Sequence, residues 1–147
     1  MEIAEIIELV KKTKTFVDNR AMADHVKVKG LADYVTQVDT NIQNFLAREL
    51  SRIAPEIQFL GEEEGLHEMG SDTYWILDPI DGTTNLIHDY QHSTVSLGLY
   101  SKGEIVLGII YDPFREDVYY AQKGGGSFLN GKQIHVSGAK TLSETIV

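Results

Sequence analysis

Residues 74–88 read Tyr74-Trp75-Ile76-Leu77-Asp78-Pro79-Ile80-Asp81-Gly82-Thr83-Thr84-Asn85-Leu86-Ile87-His88, and they carry more of the chain's character than any other stretch. Trp75, Ile76 and Leu77 form a short apolar run of the kind that makes a buried strand. Two aspartates three residues apart, Asp78 and Asp81, follow it, and then a glycine and two threonines. Pro79 fixes its own φ and has no N–H to donate, so the strand is expected to stop pairing there.

Two carboxylates about 4 Å apart repel by about 4 kcal/mol at an effective dielectric near 20. Neither neighbour is basic, so bringing Asp78 and Asp81 to one point requires a cation. Magnesium, which prefers oxygen ligands, is the natural candidate, and the Ile80 carbonyl between the two acids is one more oxygen. Gly82 permits close backbone approach, and successive N–H groups at a helix start cradle an oxyanion. Thr83 also brings a hydroxyl to the cation. Joined cation and anion sites are what metal-assisted phosphate chemistry needs. Taken alone, the Asp-x-x-Asp spacing better fits an Asp-capped turn into a short helix, with Asp81 as the cap; the residues around it favour the cation.

Acids elsewhere fit the same scheme. Gly61-Glu62-Glu63-Glu64-Gly65 follows a strand expected to end at Leu60. Acids bracketed by glycines suit a solvated loop, and they also suit delivery of carboxylates to a neighbouring strand's cation. Asp39 follows Tyr34-Val35-Thr36-Gln37-Val38, and both a helix N-cap and a site acid are open to it. The five histidines show no HExxH or other zinc spacing, and each is read as surface or structural.

Outward from this centre, Ile3, Ile6, Ile7, Val10 and Val17 recur at helical spacing and predict one amphipathic helix over residues 2–22. Residues 25–33 read as a loop or hairpin. A second helix is expected from Thr40 to Ile53, with Ile42, Phe45, Leu46, Leu50 and Ile53 on one face. Thr40 and Gln43 have capping-box spacing, and Pro55 stops that helix. Strands are expected at 57–60, 74–77, 94–100, 104–111, 118–121 and 127–129, with tight turns at Ser101-Lys102-Gly103 and Asn130-Gly131. Thr145-Ile146-Val147 reads as a strand just beginning, as though the sequence stopped short of a complete fold. Two helices followed by a meandering, mainly antiparallel sheet give an α+β layered architecture.

The whole fits one domain of 147 residues, enough to bury about 68–70% of the unfolded chain's surface. With 22 acids against 13 bases the net charge is −9, which argues against nucleic-acid polymers and anionic membranes. The absence of cysteine excludes disulfides, thiolate nucleophiles and Cys-bound zinc. The amino-terminal residues lack a signal-peptide pattern, and no apolar run approaches the roughly 20 residues of a membrane span. A soluble cytoplasmic protein is the expectation.

Asp33-Tyr34-Val35-Thr36-Gln37-Val38-Asp39, then Gly61-Glu62-Glu63, then Trp75 to Asn85 closely resemble the inositol monophosphatase family of magnesium-dependent, lithium-sensitive sugar phosphatases. Gly108-Ile109-Ile110-Tyr111-Asp112-Pro113 and Gly124 to Gly131 also look like family segments, so the resemblance covers residues 1–147. It implies the amino-terminal half of a layered α/β/α sandwich, with two long helices packed on the sheet. It also implies that Glu62, Asp78 and the Ile80 carbonyl bind a first magnesium, and that Asp78 and Asp81 share a second. Glu62 would contact a third, weaker ion; manganese would substitute and lithium inhibit. Gly82 and Thr83 would hold the phosphate through backbone N–H groups, beside Thr84 and Asp81. Thr83 and Asp39 would orient and deprotonate the attacking water, with Glu63 in support. Lys29 falls near the family's basic residue beside the phosphate, and Lys27 is the alternative.

The activity so implied is magnesium-dependent hydrolysis of a small phosphate monoester, such as myo-inositol monophosphate, by metal-activated water. A phosphorylated sugar, polyol or nucleotide would be the substrate and a homodimer the assembly. Fructose 1,6-bisphosphate and 3′-phosphoadenosine nucleotides are the alternative substrates. The family's Trp-Asp-x-Ala-Gly-like motif is missing, since Trp75 is the sole tryptophan and Ile76 follows it. Its aspartate completes the second metal site, so a fragment of this kind is expected to bind magnesium with weak or no turnover. A non-catalytic metal-binding half-domain is the rival outside enzymes. Ile80-Asp81-Gly82-Thr83 also mimics part of the haloacid-dehalogenase motif, but that motif needs an acid where Pro79 stands.

Overall fold

The computed structural model describes residues 2–19, 26–30, 33–61 and 72–145. Near the amino terminus the expected single helix is two pieces, α1 (Ile3–Lys11) and α2 (Lys14–Val17). The break has a local cause at Thr13. Its N–H and its hydroxyl both donate to the Val10 carbonyl, at 3.0 and 2.6 Å, which tightens the turn to an i−3 pattern. Ile6, Leu9 and Val10 still face inward, so the apolar stripe is kept across the break. The far part of the expected helix, beyond residue 19, lies outside the described residues.

A hairpin follows, β1 (Val26–Gly30) against β2 (Asp33–Thr36), and runs directly into α3 (Gln37–Ile53), a helix of 17 residues. Its start lies three residues earlier than the sequence pattern suggests. Thr36 is the N-cap, accepting from the Val38 N–H, and Asp39 three residues on accepts from the Thr36 N–H. That reciprocal pair is the capping box, rather than Thr40 with Gln43. Ile42, Leu46 and Leu50 are buried along the inward face, with Phe45 and Ile53 at its margins, and the helix ends at Ala54 before Pro55.

Seven strands form one sheet in the order β3 (Gln58–Gly61), β4 (Thr73–Asp81), β5 (Thr94–Ser101), β6 (Glu104–Asp112), β7 (Asp117–Gln122), β8 (Gly126–Leu129) and β9 (Lys132–Ile134). β3 runs parallel to β4, and every other neighbouring pair is antiparallel. A short helix, α4 (Thr83–Ile87), lies between β4 and β5. Trp75, Leu77, Val95, Leu97, Leu107, Ile109, Tyr111 and Val118 alternate along the strands into a core shared with α1, α2 and α3. Lys14 fastens α2 to the far end of this core, donating to the Pro113 carbonyl (3.0 Å) and to Asp18 (3.1 Å).

The fold is therefore mixed α and β with a mostly antiparallel sheet, as expected, but with one long helix among the described residues instead of two. Leu142–Glu144 is a single 3₁₀ turn; of Thr145-Ile146-Val147, where a strand was expected to begin, Thr145 is a bend and residues 146 and 147 lie outside the described residues.

Candidate metal and phosphate site

The strand β4 does not stop at Pro79. It continues to Asp81, and the chain meets the proline with a bulge. Asp78 pairs with Ser96 and Asp81 with Thr94, so three steps on β4 match two on β5. The extra residue absorbs the ladder position that proline cannot fill. It also changes the parity of the strand. In a regular strand residues three apart point to opposite faces. Here both aspartates sit opposite residues two apart on β5, so the register puts them on the same side of the sheet, away from Val95 in the core. Asp78 is half-buried with its Oδ1 fully covered, while Asp81 is exposed.

Beyond the bulge Gly82 turns the chain at φ +90° and takes the N-cap position of α4 with no side-chain cap. Asp81 is thus the last residue of the strand and not a helix cap. A Cβ on Gly82 would stand 3.1 Å from both Asn85 Nδ2 and the His92 carbonyl oxygen, so space and backbone angle both select glycine.

Thr83 joins the strand end to the long helix. Its Oγ1 lies 3.0 Å from the Ile80 carbonyl oxygen and 3.1 Å from Asp39 Oδ1, and its one hydroxyl proton serves both acceptors. Asp39 is buried at the start of α3. Its Oδ2 accepts from the Thr36 N–H (2.8 Å) and the Thr36 hydroxyl (2.5 Å), which leaves Oδ1 for Thr83. Burial pushes the Asp39 carboxyl above its usual range, against the downward pull of the hydrogen bonds from Thr36 and Thr83.

Gly61, at the end of β3, is buried against α3, and a Cβ there would lie 2.5 Å from the Gln43 carboxamide. The parallel register sets Gly61 beside Leu77, one residue before Asp78. Glu62 and Glu63 lie outside the described residues. Lys27 and Lys29 fall on β1, and only their backbone is described. The structure thus brings together Asp39, Ile80 and Thr83, places Asp78 and Asp81 on the same strand as Ile80, and carries Thr84 exposed on α4. Among the described residues no three acids or histidines form a metal-holding group.

Three residues to which the sequence reading gave no part in the site support this corner: Thr36, Gln43 and Ser93. Thr36-x-x-Asp39 has the spacing of a capping box and was legible as one. Nothing in the sequence distinguishes Gln43 or Ser93 as partners of Gly61 and Gly82.

The donors offered here are carboxylates, a carbonyl and a hydroxyl, all oxygen, which suits a hard divalent cation and not a soft one. Among the described residues no helix is long and apolar enough to cross a membrane.

Known proteins resemble this chain along nearly its whole length. Residues 2–147 match the model of the Inositol monophosphatase family. An inositol-1-monophosphatase of Rhizobium meliloti (strain 1021) is 40% identical over 124 residues, 83% of this chain and 46% of that protein. The crystal structure of extragenic suppressor protein suhB from Bartonella henselae superposes with a TM-score of 0.85 at 34% identity, over 93% of this chain and 55% of that one. An IMPase/NADP phosphatase crystallised with Mg2+ and phosphate gives a TM-score of 0.80 at 30% identity, over 88% and 51%. The chain spans about half the length of the relatives it matches. With a family model covering nearly every residue, this chain belongs to the inositol monophosphatase family.

Proposed function

We propose that the chain supplies the metal- and phosphate-binding portion of a magnesium-dependent phosphatase that hydrolyses a small phosphate monoester, with myo-inositol monophosphate as the leading substrate. The observation that carries this reading is the Thr83 hydroxyl held between Asp39 Oδ1 and the Ile80 carbonyl. One side chain there links a buried carboxylate to the carbonyl between two strand-end aspartates.

In this reading Glu62, Asp78, Asp81 and the Ile80 carbonyl hold magnesium, with manganese able to replace it and lithium inhibitory. The bound ions supply charge neutralisation for the phosphoryl group and activation of water. The chain's own residues do the rest. Gly82 and Thr83, at the start of α4, offer N–H groups that have no intrahelical acceptor, and these receive phosphate oxygens, with Thr84 and Lys29 alongside. Asp39 accepts a proton by way of Thr83, helped by Glu63. Positioning and charge neutralisation carry phosphoryl transfer, so no covalent intermediate on the protein is required.

The layered α/β/α sandwich, the homodimer and a cytoplasmic setting belong to the same proposal. The relatives run to about twice this length, and the Trp-Asp-x-Ala-Gly-like motif expected to complete the second metal site does not occur in these 147 residues. Magnesium binding with feeble turnover follows for this chain by itself. Phosphate release from myo-inositol monophosphate, fructose 1,6-bisphosphate and a 3′-phosphoadenosine nucleotide should be assayed with and without magnesium, beside a full-length relative. Slow, strictly magnesium-dependent release favouring the inositol ester supports the reading. Release that persists after chelation contradicts it.

A further inference from the structure

Nothing in the family resemblance assigns a role to Ser93, which the structure buries to 2% exposure directly before β5. Its Oγ donates to the Gly82 carbonyl oxygen at 2.8 Å. The same oxygen accepts from the Asn85 N–H (2.9 Å) and the Leu86 N–H (3.1 Å). A second tie runs alongside, from Asn85 Nδ2 to the His92 carbonyl at 2.7 Å. Residues 92–93 therefore strap the Gly82 turn to the sheet, because Thr94, the next residue, pairs with Asp81.

A trans peptide is planar, with its C=O and N–H antiparallel. Holding the Gly82 oxygen inward consequently fixes the Thr83 N–H outward, away from the helix body. Gly82 sits at φ +90°, and glycine crosses backbone space more freely than any other residue. The oxygen of the peptide that follows it is held by two N–H groups of a five-residue helix, and a donor from outside α4 adds a third, independent hold. Ser93 is the side chain outside α4 that does so among the described residues.

We propose that Ser93 is a positioning residue for phosphate: its hydroxyl locks the Gly82–Thr83 peptide plane so that the Thr83 N–H stays aimed at the phosphoryl group. This rests on the function proposed above and adds to it a residue whose hydrogen bond goes to a backbone carbonyl and, among the described residues, to no metal ligand's side chain. Ser93 acts through the Gly82 carbonyl alone.

The test uses the 147-residue chain with magnesium present and inorganic phosphate as the probe, followed by amide resonances. In the unaltered chain, phosphate should shift the Thr83 amide in a saturable way. Ser93→Ala should weaken that binding three- to tenfold and speed hydrogen exchange at the Asn85 and Leu86 amides at least threefold. Magnesium affinity should stay within twofold, a readout that general loosening of the fold would not spare. Ser93→Thr, which keeps the hydroxyl, should hold phosphate affinity within threefold of the original. Phosphate binding by Ser93→Ala equal to that of the unaltered chain, or unchanged exchange at residues 85 and 86, overturns the proposal. An unaltered chain that takes up no phosphate overturns the functional reading and this proposal together, and is told apart because the failure then precedes any substitution.

Discussion

Asp39 and Thr83 are 44 residues apart in sequence, and their side chains meet at 3.1 Å. The contact closes the corner between the start of α3 and the end of β4. It depends on Thr36 occupying the other carboxylate oxygen of Asp39. Thr83→Val keeps the shape and removes the hydroxyl, leaving Asp39 Oδ1 and the Ile80 carbonyl short of a donor. Stability should fall by about 1–2 kcal/mol, with Thr83→Ser losing less. Urea unfolding of the three proteins measures it.

Thr36 caps α3 and orders Asp39 with the same side chain. Thr36→Ala should therefore cost about 1–2 kcal/mol, at the upper end for an N-cap, because a buried carboxylate loses a donor as well. Thr36→Ser, keeping the oxygen, should stay within about 0.5 kcal/mol. Thermal melts of both variants check the ordering.

The buried Gln43 carboxamide fills the place a Cβ on Gly61 would take, so a side chain there must push that end of Gln43 aside. Gly61→Ala should destabilise by about 1–3 kcal/mol through overpacking. Combined with Gln43→Ala, which opens the space, the penalty should shrink by at least about 1 kcal/mol. A double-mutant cycle reads that coupling directly.

Tyr111 is almost wholly buried, and burial, with Glu116, Asp18 and Asp112 nearby, pushes its hydroxyl up to about 12 from an ordinary 10.0. The folded chain then keeps a proton that the unfolded chain has released. Its contribution is fully present below pH 10 and is lost as pH rises through 12, by roughly 2–3 kcal/mol over that window. Tyr111→Phe should flatten the fall in stability between pH 9.5 and 11.5, as seen in urea midpoints across that range.

Much of this was legible beforehand because apolar alternation is local. The alternation of Val95, Leu97 and Leu99, and of Leu107, Ile109 and Tyr111, marked β5 and β6 within a residue or two. What misled was also local chemistry overridden by neighbours. Pro79 looks like a stop, yet β5 tolerates it through a bulge, and that bulge is what brings Asp78 and Asp81 to one side. Thr13 splits a helix whose apolar spacing reads as continuous, because its short polar side chain competes for the Val10 carbonyl. Thr40 and Gln43 imitate a capping box that Thr36 and Asp39 form, since the apolar stripe of α3 gives no hint of a polar first turn. Ser93 and Gln43 act across the fold, through contacts that no sequence window contains.

The most direct measurement is magnesium titration by calorimetry on this chain, beside Asp78→Asn, Asp81→Asn and Glu62→Gln. Saturable uptake is expected in the original, at least tenfold weaker in each single variant and undetectable in Asp78→Asn/Asp81→Asn, with all four variants folded by circular dichroism. Uptake that is absent from the original, or undiminished when both aspartates are replaced, would contradict it.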